Sequence, residues 1–196
     1  MRFGKNKPNS LYLLLVYSFN VSSFAEGILL PIYAIFVQKV GGDILDAGLA
    51  MGIFLITEAI FTMFVHRFSW TARQRLFLMV LGWIIWLAGI CSYLLISDIW
   101  MLFISQILTA IGNAIADPIF DQELAHHTDK KIEQYEWGFF EGSKSLVDGL
   151  AAIVGAAIAS WFGFRSLIIV MIVTATVSFL LILLYIHKSR SKQRIV

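Results

Sequence analysis

The chain has 196 residues, of which 59% are hydrophobic and only 14% charged, against roughly half apolar and a quarter charged in an ordinary soluble domain. A composition this apolar belongs in lipid, and a net charge of only +2 argues against nucleic acid as a partner. The one cysteine, Cys91, sits inside an apolar segment, so no intramolecular disulfide can form.

In chain order, Arg2, Lys5 and Lys7 precede an apolar run at 11–17 and then Ser23-Phe24-Ala25, a pattern shared with cleavable signal peptides. The apolar stretch continues to Val37, far beyond a signal core, and is expected to persist as a helix. About 20 apolar residues cross the hydrocarbon core as a helix. Six segments qualify: 11–37, 47–68, 76–96, 99–120, 137–162 and 166–186. Short connections lie at Gly41-Gly42-Asp43, 71–75, Ser97-Asp98 and Gly163-Phe164-Arg165, and one long polar stretch lies at 121–136. None of the segments alternates in polarity as barrel strands do, and a backbone in lipid must satisfy its own hydrogen bonds. The expected fold is therefore all-α, a single six-helix transmembrane domain over 1–196 with a tail at 187–196.

Positive residues in short loops stay in the cytoplasm. Arg2, Lys5, Lys7, Arg67, Arg73, Arg75, Lys130, Lys131, Lys188, Arg190, Lys192 and Arg194 fall on one side of the spans, and only Lys39 and Arg165 on the other. Both termini are expected to be cytoplasmic, in a multi-pass protein of the cell membrane.

Charges inside spans are costly and usually face a protein interior or a water-filled cavity. The first span carries Glu26, in a stripe with Asn20 and Ser23, and the second carries Glu58. The fourth aligns Gln106, Asn113 and Asp117 at i, i+7 and i+11, and the fifth has Glu141, Lys144 and Asp148 at i, i+3 and i+7. The third and sixth carry none. The first, second, fourth and fifth spans are thus expected to surround a polar route, with the third and sixth turned to lipid. Structural readings stand beside this one: Glu58 can tie helices together by hydrogen bonding, and Asp117 and Glu141 can sit at headgroup depth. Glu26, Glu58 and Asp148 lie midway along their spans and are the candidate ion or proton carriers. Lys144 can neutralise Asp148, which ranks Glu26 and Glu58 ahead of it.

The two halves of the chain echo one another. Ser69-Trp70, followed by Arg73 and Leu76, returns as Ser160-Trp161, followed by Arg165 and Leu167, at an offset of 91 residues. Glu26 maps to Asp117 at the same offset, and Glu58 maps to Asp148 at 90. Three spans per unit is odd, so two inverted three-helix repeats are expected.

Gly112 and Pro118 in the fourth span, the turn ending Thr128-Asp129-Lys130-Lys131, Gly149, Gly155 and Ala159 in the fifth, and Phe162-Gly163-Phe164-Arg165 together resemble the major facilitator superfamily. The last tetrapeptide is similar to the Phe-Gly-Trp-Arg turn common there, and the likeness continues over essentially the whole chain. The resemblance implies a secondary-active transporter working by alternating access, with the third and sixth spans peripheral. The family's loop between its second and third helices reads roughly Gly-x-Leu-Ala-Asp-Arg-x-Gly-Arg. Here it is Val65-His66-Arg67-Phe68-Ser69-Trp70-Thr71-Ala72-Arg73. Arg67 and Arg73 remain, but His66 replaces the Asp, which puts the usual gating salt bridge in doubt. Members of the family carry two six-helix halves, and this chain resembles one, the N-terminal half. It is expected to be a half-transporter pairing with itself, or else a fragment. Gly48-x-x-x-Gly52 and Gly155-x-x-x-Ala159 are close-packing motifs, and the family's geometry implies a homodimer seam of the second span against the partner's fifth.

Catalysis finds no support. All four histidines, His66, His126, His127 and His187, lie at helix ends, with no Ser-His arrangement and no converging metal ligands, so neither an enzyme nor a cofactor is expected. Embedded acids outnumber the single Lys, which suggests protons or a cationic, amphipathic small molecule; a neutral solute or lipid with the acids used for coupling is the alternative. A non-transporting membrane scaffold is the second functional class, and nothing resembling a selectivity filter supports a channel.

Overall fold

The computed structural model describes residues 9–193, without the side chains of His66 and residues 190–193. Arg2, Lys5, Lys7, Arg190, Lys192 and Arg194, counted for topology, and the His66 side chain of the expected gating loop lie outside this described set.

Local sequence chemistry explains where each helix begins. The Asn9 side chain accepts from the Leu11 amide to start α1 (Ser10–Gly27). Asp43 and Asp46 form a reciprocal capping box at the start of α3 (Ile44–His66), and Thr71 and Gln74 do the same for α4 (Ala72–Ser92). The Asp98 carboxylate accepts from the Trp100 and Met101 amides to open α5 (Ile99–His127). These side chains satisfy amides that have no partner inside the helix. Helix α6 (Glu133–Gln193) is one helical stretch interrupted at Gly163, whose φ of 79° and ψ of 170° are not helical. Among the described residues there is no strand.

Two expectations about the elements are corrected. The segment 11–37 is not one helix: after Gly27 it passes through a 3-10 turn at Leu30–Ile32 before α2 (Tyr33–Lys39), because Pro31 has no amide hydrogen to continue the ladder. The polar stretch 121–136 is largely helical, since α5 runs to His127 and α6 starts at Glu133. The short connection expected at Gly163-Phe164-Arg165 is present as a kink, where Gly163 alone leaves helical geometry.

Five stretches are long and apolar enough to cross a membrane: Ser10–Lys39, Ile44–Val65, Ala72–Leu95, Ile99–His127 and Glu133–Ser189. Tight packing joins α1 to α6 and α4 to α5. A Cβ on Gly155 would lie 1.9 Å from the Ile28 carbonyl oxygen, and one on Gly112 would lie 2.4 Å from the Trp86 nitrogen. Both crossings therefore need glycine. Helix α3 packs chiefly on α5, and almost none of it is buried within the chain.

Candidate functional site

Helices α1, α3, α4, α5 and α6 enclose a central cavity of about 440 Å³. Glu26, Glu58, Asn113, Asp117, Lys144 and Asp148 all line it. Six of the eight side chains proposed from the sequence for a polar pathway thus come together in one place. The other two do not. The Asn20 amide donates to Ser143 Oγ at 2.9 Å and ties α1 to α6. The Gln106 amide donates to the Tyr33 hydroxyl in a second cavity.

The acids differ in how they are held. Glu26 Oε1 accepts from the Trp86 indole N–H at 2.5 Å and from the Asn113 amide at 3.3 Å. Asp148 accepts from the Ser23 hydroxyl at 2.6 Å through Oδ1 and pairs with Lys144 Nζ at 3.2 Å through Oδ2. Neither Glu58 nor Asp117 makes a side-chain hydrogen bond or ion pair among the described residues. Four carboxyl groups thus face one ammonium around a cavity whose remaining wall includes Phe19, Phe54, Trp83 and Trp86. Such a lining in low dielectric attracts positive charge.

The division of labour expected between helices needs correction. The third span, α4, is not merely peripheral: Trp83 and Trp86 are buried, pack edge to face with ring centroids 5.2 Å apart, and form part of the cavity wall. Trp83 Nε1 is buried without a partner among the described residues. Counting charges alone missed these indoles, although their i, i+3 spacing places them on one helix face.

A second polar cluster binds the helices where the first turn of α1, the start of α4, the end of α5 and the last turns of α6 meet. Glu123 accepts from the Tyr185 hydroxyl at 2.7 Å and lies 3.7 Å from Arg75 Nε. His127 Nε2 is 2.9 Å from the same hydroxyl. The buried Glu136 carboxylate accepts from the Asp129 amide at 2.7 Å, and its carbonyl accepts from the Tyr12 hydroxyl at 2.6 Å. Arg67 and Arg73, singled out for a gating loop, are exposed and make no ion pair among the described residues. The arginine that does reach an acid is Arg75. In the sequence it stands out only as a positive residue for topology, and its partner Glu123 falls in the polar stretch 121–136.

The residues proposed for a dimer seam also separate. At Gly48 and Gly52 a Cβ would meet nothing within 4 Å, so that face of α3 is open. Gly155 is used inside the bundle, against the Ile28 carbonyl, and is not available to a seam. Ala159 is partly buried against the core. Among the described residues, no group of three or more His, Cys, Asp or Glu side chains could hold a metal ion.

Comparison with known proteins agrees with this architecture. The sequence matches the family described as Major Facilitator Superfamily over residues 15–195. An uncharacterized MFS-type transporter of Methanocaldococcus jannaschii is 24% identical over 163 residues, a match covering 83% of this chain and 41% of that protein. The chain therefore spans less than half the length of this curated relative.

Proposed function

From the premise that this chain belongs to the Major Facilitator Superfamily and is an all-helical, multi-pass membrane protein, we propose that it forms one half of a secondary-active transporter that moves a small cationic solute by alternating access, coupled to protons. The observation that carries this reading is the central cavity, where carboxyl groups from α1, α3, α5 and α6 converge on a single ammonium. A helix bundle held only by structural ties would pair its acids; Glu58 and Asp117 have no such pairing among the described residues. A transporter needs groups left free to meet a substrate or proton.

In this reading α6 crosses the membrane twice and turns at Gly163. Its apolar part spans 57 residues, about 85 Å at 1.5 Å per residue, against a hydrocarbon core of about 30 Å. The single domain then has six spans in two inverted three-helix units, with the pairs Glu26 and Asp117, and Glu58 and Asp148, brought to one cavity from the two units. Both termini are cytoplasmic. The open face of α3, with Gly48 and Gly52, meets an equivalent half, in a homodimer a second copy, which closes the cavity on that side. A match covering 41% of the relative fits one such half.

The test is uptake by reconstituted proteoliposomes under an imposed pH gradient, with cations as candidate solutes. Substrate-dependent flux supports transport; a scaffold shows neither flux nor protection of the cavity from labelling. Cysteines near Arg73 and Lys131 should label only from the cytoplasmic side, and those near Gly42, Asp98 and Gly163 only from outside. A monomer by mass in mild detergent and in lipid, with unchanged behaviour of Gly52→Leu, would remove the homodimer.

A further inference from the structure

A second cavity of about 310 Å³ lies beyond the break after α1, bounded by residues of α2 and by the parts of α3, α4, α5 and α6 nearest it. It shares Glu26, Leu30 and Phe54 with the central cavity, so the two chambers meet at the Glu26 side chain. Their chemistry differs. Among the described residues, Glu26 is the only charged one in the wall of the second chamber. Two of its other polar groups are spent within the chain: the Gln106 amide donates to the Tyr33 hydroxyl, and Thr109 Oγ1 donates to the Ser105 carbonyl at 2.5 Å. What remains is mostly apolar, with Met51 from α3 and Met171 from α6. Methionine is flexible and polarizable and fits apolar groups of varied shape.

The junction is built to stay in place. Leu30 belongs to the 3-10 turn at Leu30–Ile32. That break is seated on α6, because Gly155 allows the Ile28 carbonyl to approach to a distance no side chain would permit. Glu26 Oε1 is anchored by Trp86 and Asn113, while Oε2 accepts no hydrogen bond among the described residues. On the central side of this free oxygen, Phe19, Phe54, Trp83 and Trp86 stand in the same wall as the acids. Carboxylates beside aromatic rings suit a bulky, weakly hydrated cation, and a quaternary ammonium is the simplest one.

Resting on the reading of the central cavity as a cation site, we propose that the two chambers form one bipartite site for an amphiphilic quaternary ammonium, its head in the central cavity beside Glu26 and its hydrocarbon tail in the chamber lined by Met51 and Met171. Each methylene that enters an apolar chamber strengthens binding roughly fourfold, until the space is filled. A short cation occupies only the head chamber and ignores the second.

The experiment is calorimetric titration of the whole chain in lipid nanodiscs with n-alkyltrimethylammonium ions, from tetramethylammonium to octyltrimethylammonium. Wild type should bind the short ion weakly, tighten roughly fourfold per methylene over the first few carbons, and then level off. Met171→Trp, and independently Met51→Trp on the less constrained α3, should abolish the gain with chain length and leave tetramethylammonium unaffected. Glu26→Gln should weaken every member of the series. A chain-length gain that persists unchanged in both tryptophan variants reports partition into the bilayer and overturns the second chamber. No gain in wild type overturns it too, while binding of tetramethylammonium that depends on Glu26 leaves the cation reading intact. Failure of every ion to bind, with no response to Glu26→Gln, sinks the cation reading itself.

Discussion

Glu26 and Glu58 are the same residue type in the wall of one cavity, and the structure treats them differently. Glu26 rides on α1, which is pressed against α6, and two donors on α4 and α5 hold its Oε1. Glu58 rides on α3, which is barely buried within the chain, and has no side-chain hydrogen bond or ion pair among the described residues. The lesson is that an intramembrane acid is defined by how closely its helix is packed as much as by its place along the span. One is set in a fixed wall, while the other stands on the helix with the least to hold it.

The firmest way to break the fixed side is to disturb the α1 and α6 crossing. Gly155→Ala puts a Cβ 1.9 Å from the Ile28 carbonyl oxygen; a backbone atom cannot rotate away, so the expected loss is about 3 kcal/mol, the upper part of the usual overpacking range. Thermal unfolding in detergent should show a much lower transition for this variant. Gly52→Ala, where a Cβ meets nothing, should hold or gain stability, since alanine favours the helix. Equal behaviour of the two variants would erase the contrast between the helices.

A finer cut removes only what holds Glu26. Trp86→Phe keeps a ring in the wall but deletes the indole N–H that donates at 2.5 Å, a buried hydrogen bond whose loss costs about 1 kcal/mol. The same unfolding measurement should place it between Gly155→Ala and wild type. No equivalent change is available for Glu58, and Glu58→Gln should unfold like the parent. Smaller still is the pair on α6. Lys144 and Asp148 are each more than a third exposed within the chain, so Lys144→Met should change stability by less than about 1 kcal/mol, which a salt titration of the melting transition would verify.

Much of this was legible in the sequence. Length and apolarity pointed to an all-helical chain with helices long enough to span lipid, and the cost of a buried charge pointed to Glu26, Glu58, Asp117, Lys144 and Asp148, which do share one cavity. Three things were not legible. The break after Gly27 depends on Pro31 and on Gly155 from the far end of the chain, and no local pattern displays that contact. Trp83 and Trp86 read as lipid-facing because they carry no charge, yet Gly82 and Gly112 bring α4 so close to α5 that the indoles turn inward. The polar stretch after Asp121 reads as a loop by composition, but its residues find partners across helices: Glu123 with Arg75 and Tyr185, and the Glu136 carbonyl with the Tyr12 hydroxyl. Polar residues so satisfied can remain helical at the end of a bundle.

The central claim is that the mid-span acids carry protons in a transport cycle. Its most direct test is pH-driven cation uptake into proteoliposomes containing wild type, Glu26→Gln or Glu58→Gln, with counterflow exchange measured on the same vesicles. The account predicts that Glu58→Gln abolishes uptake driven by the pH gradient while folding and exchange are largely kept, and that Glu26→Gln impairs both uptake and exchange. Full pH-dependent uptake by both variants would contradict it, and would leave the acids as ties between helices.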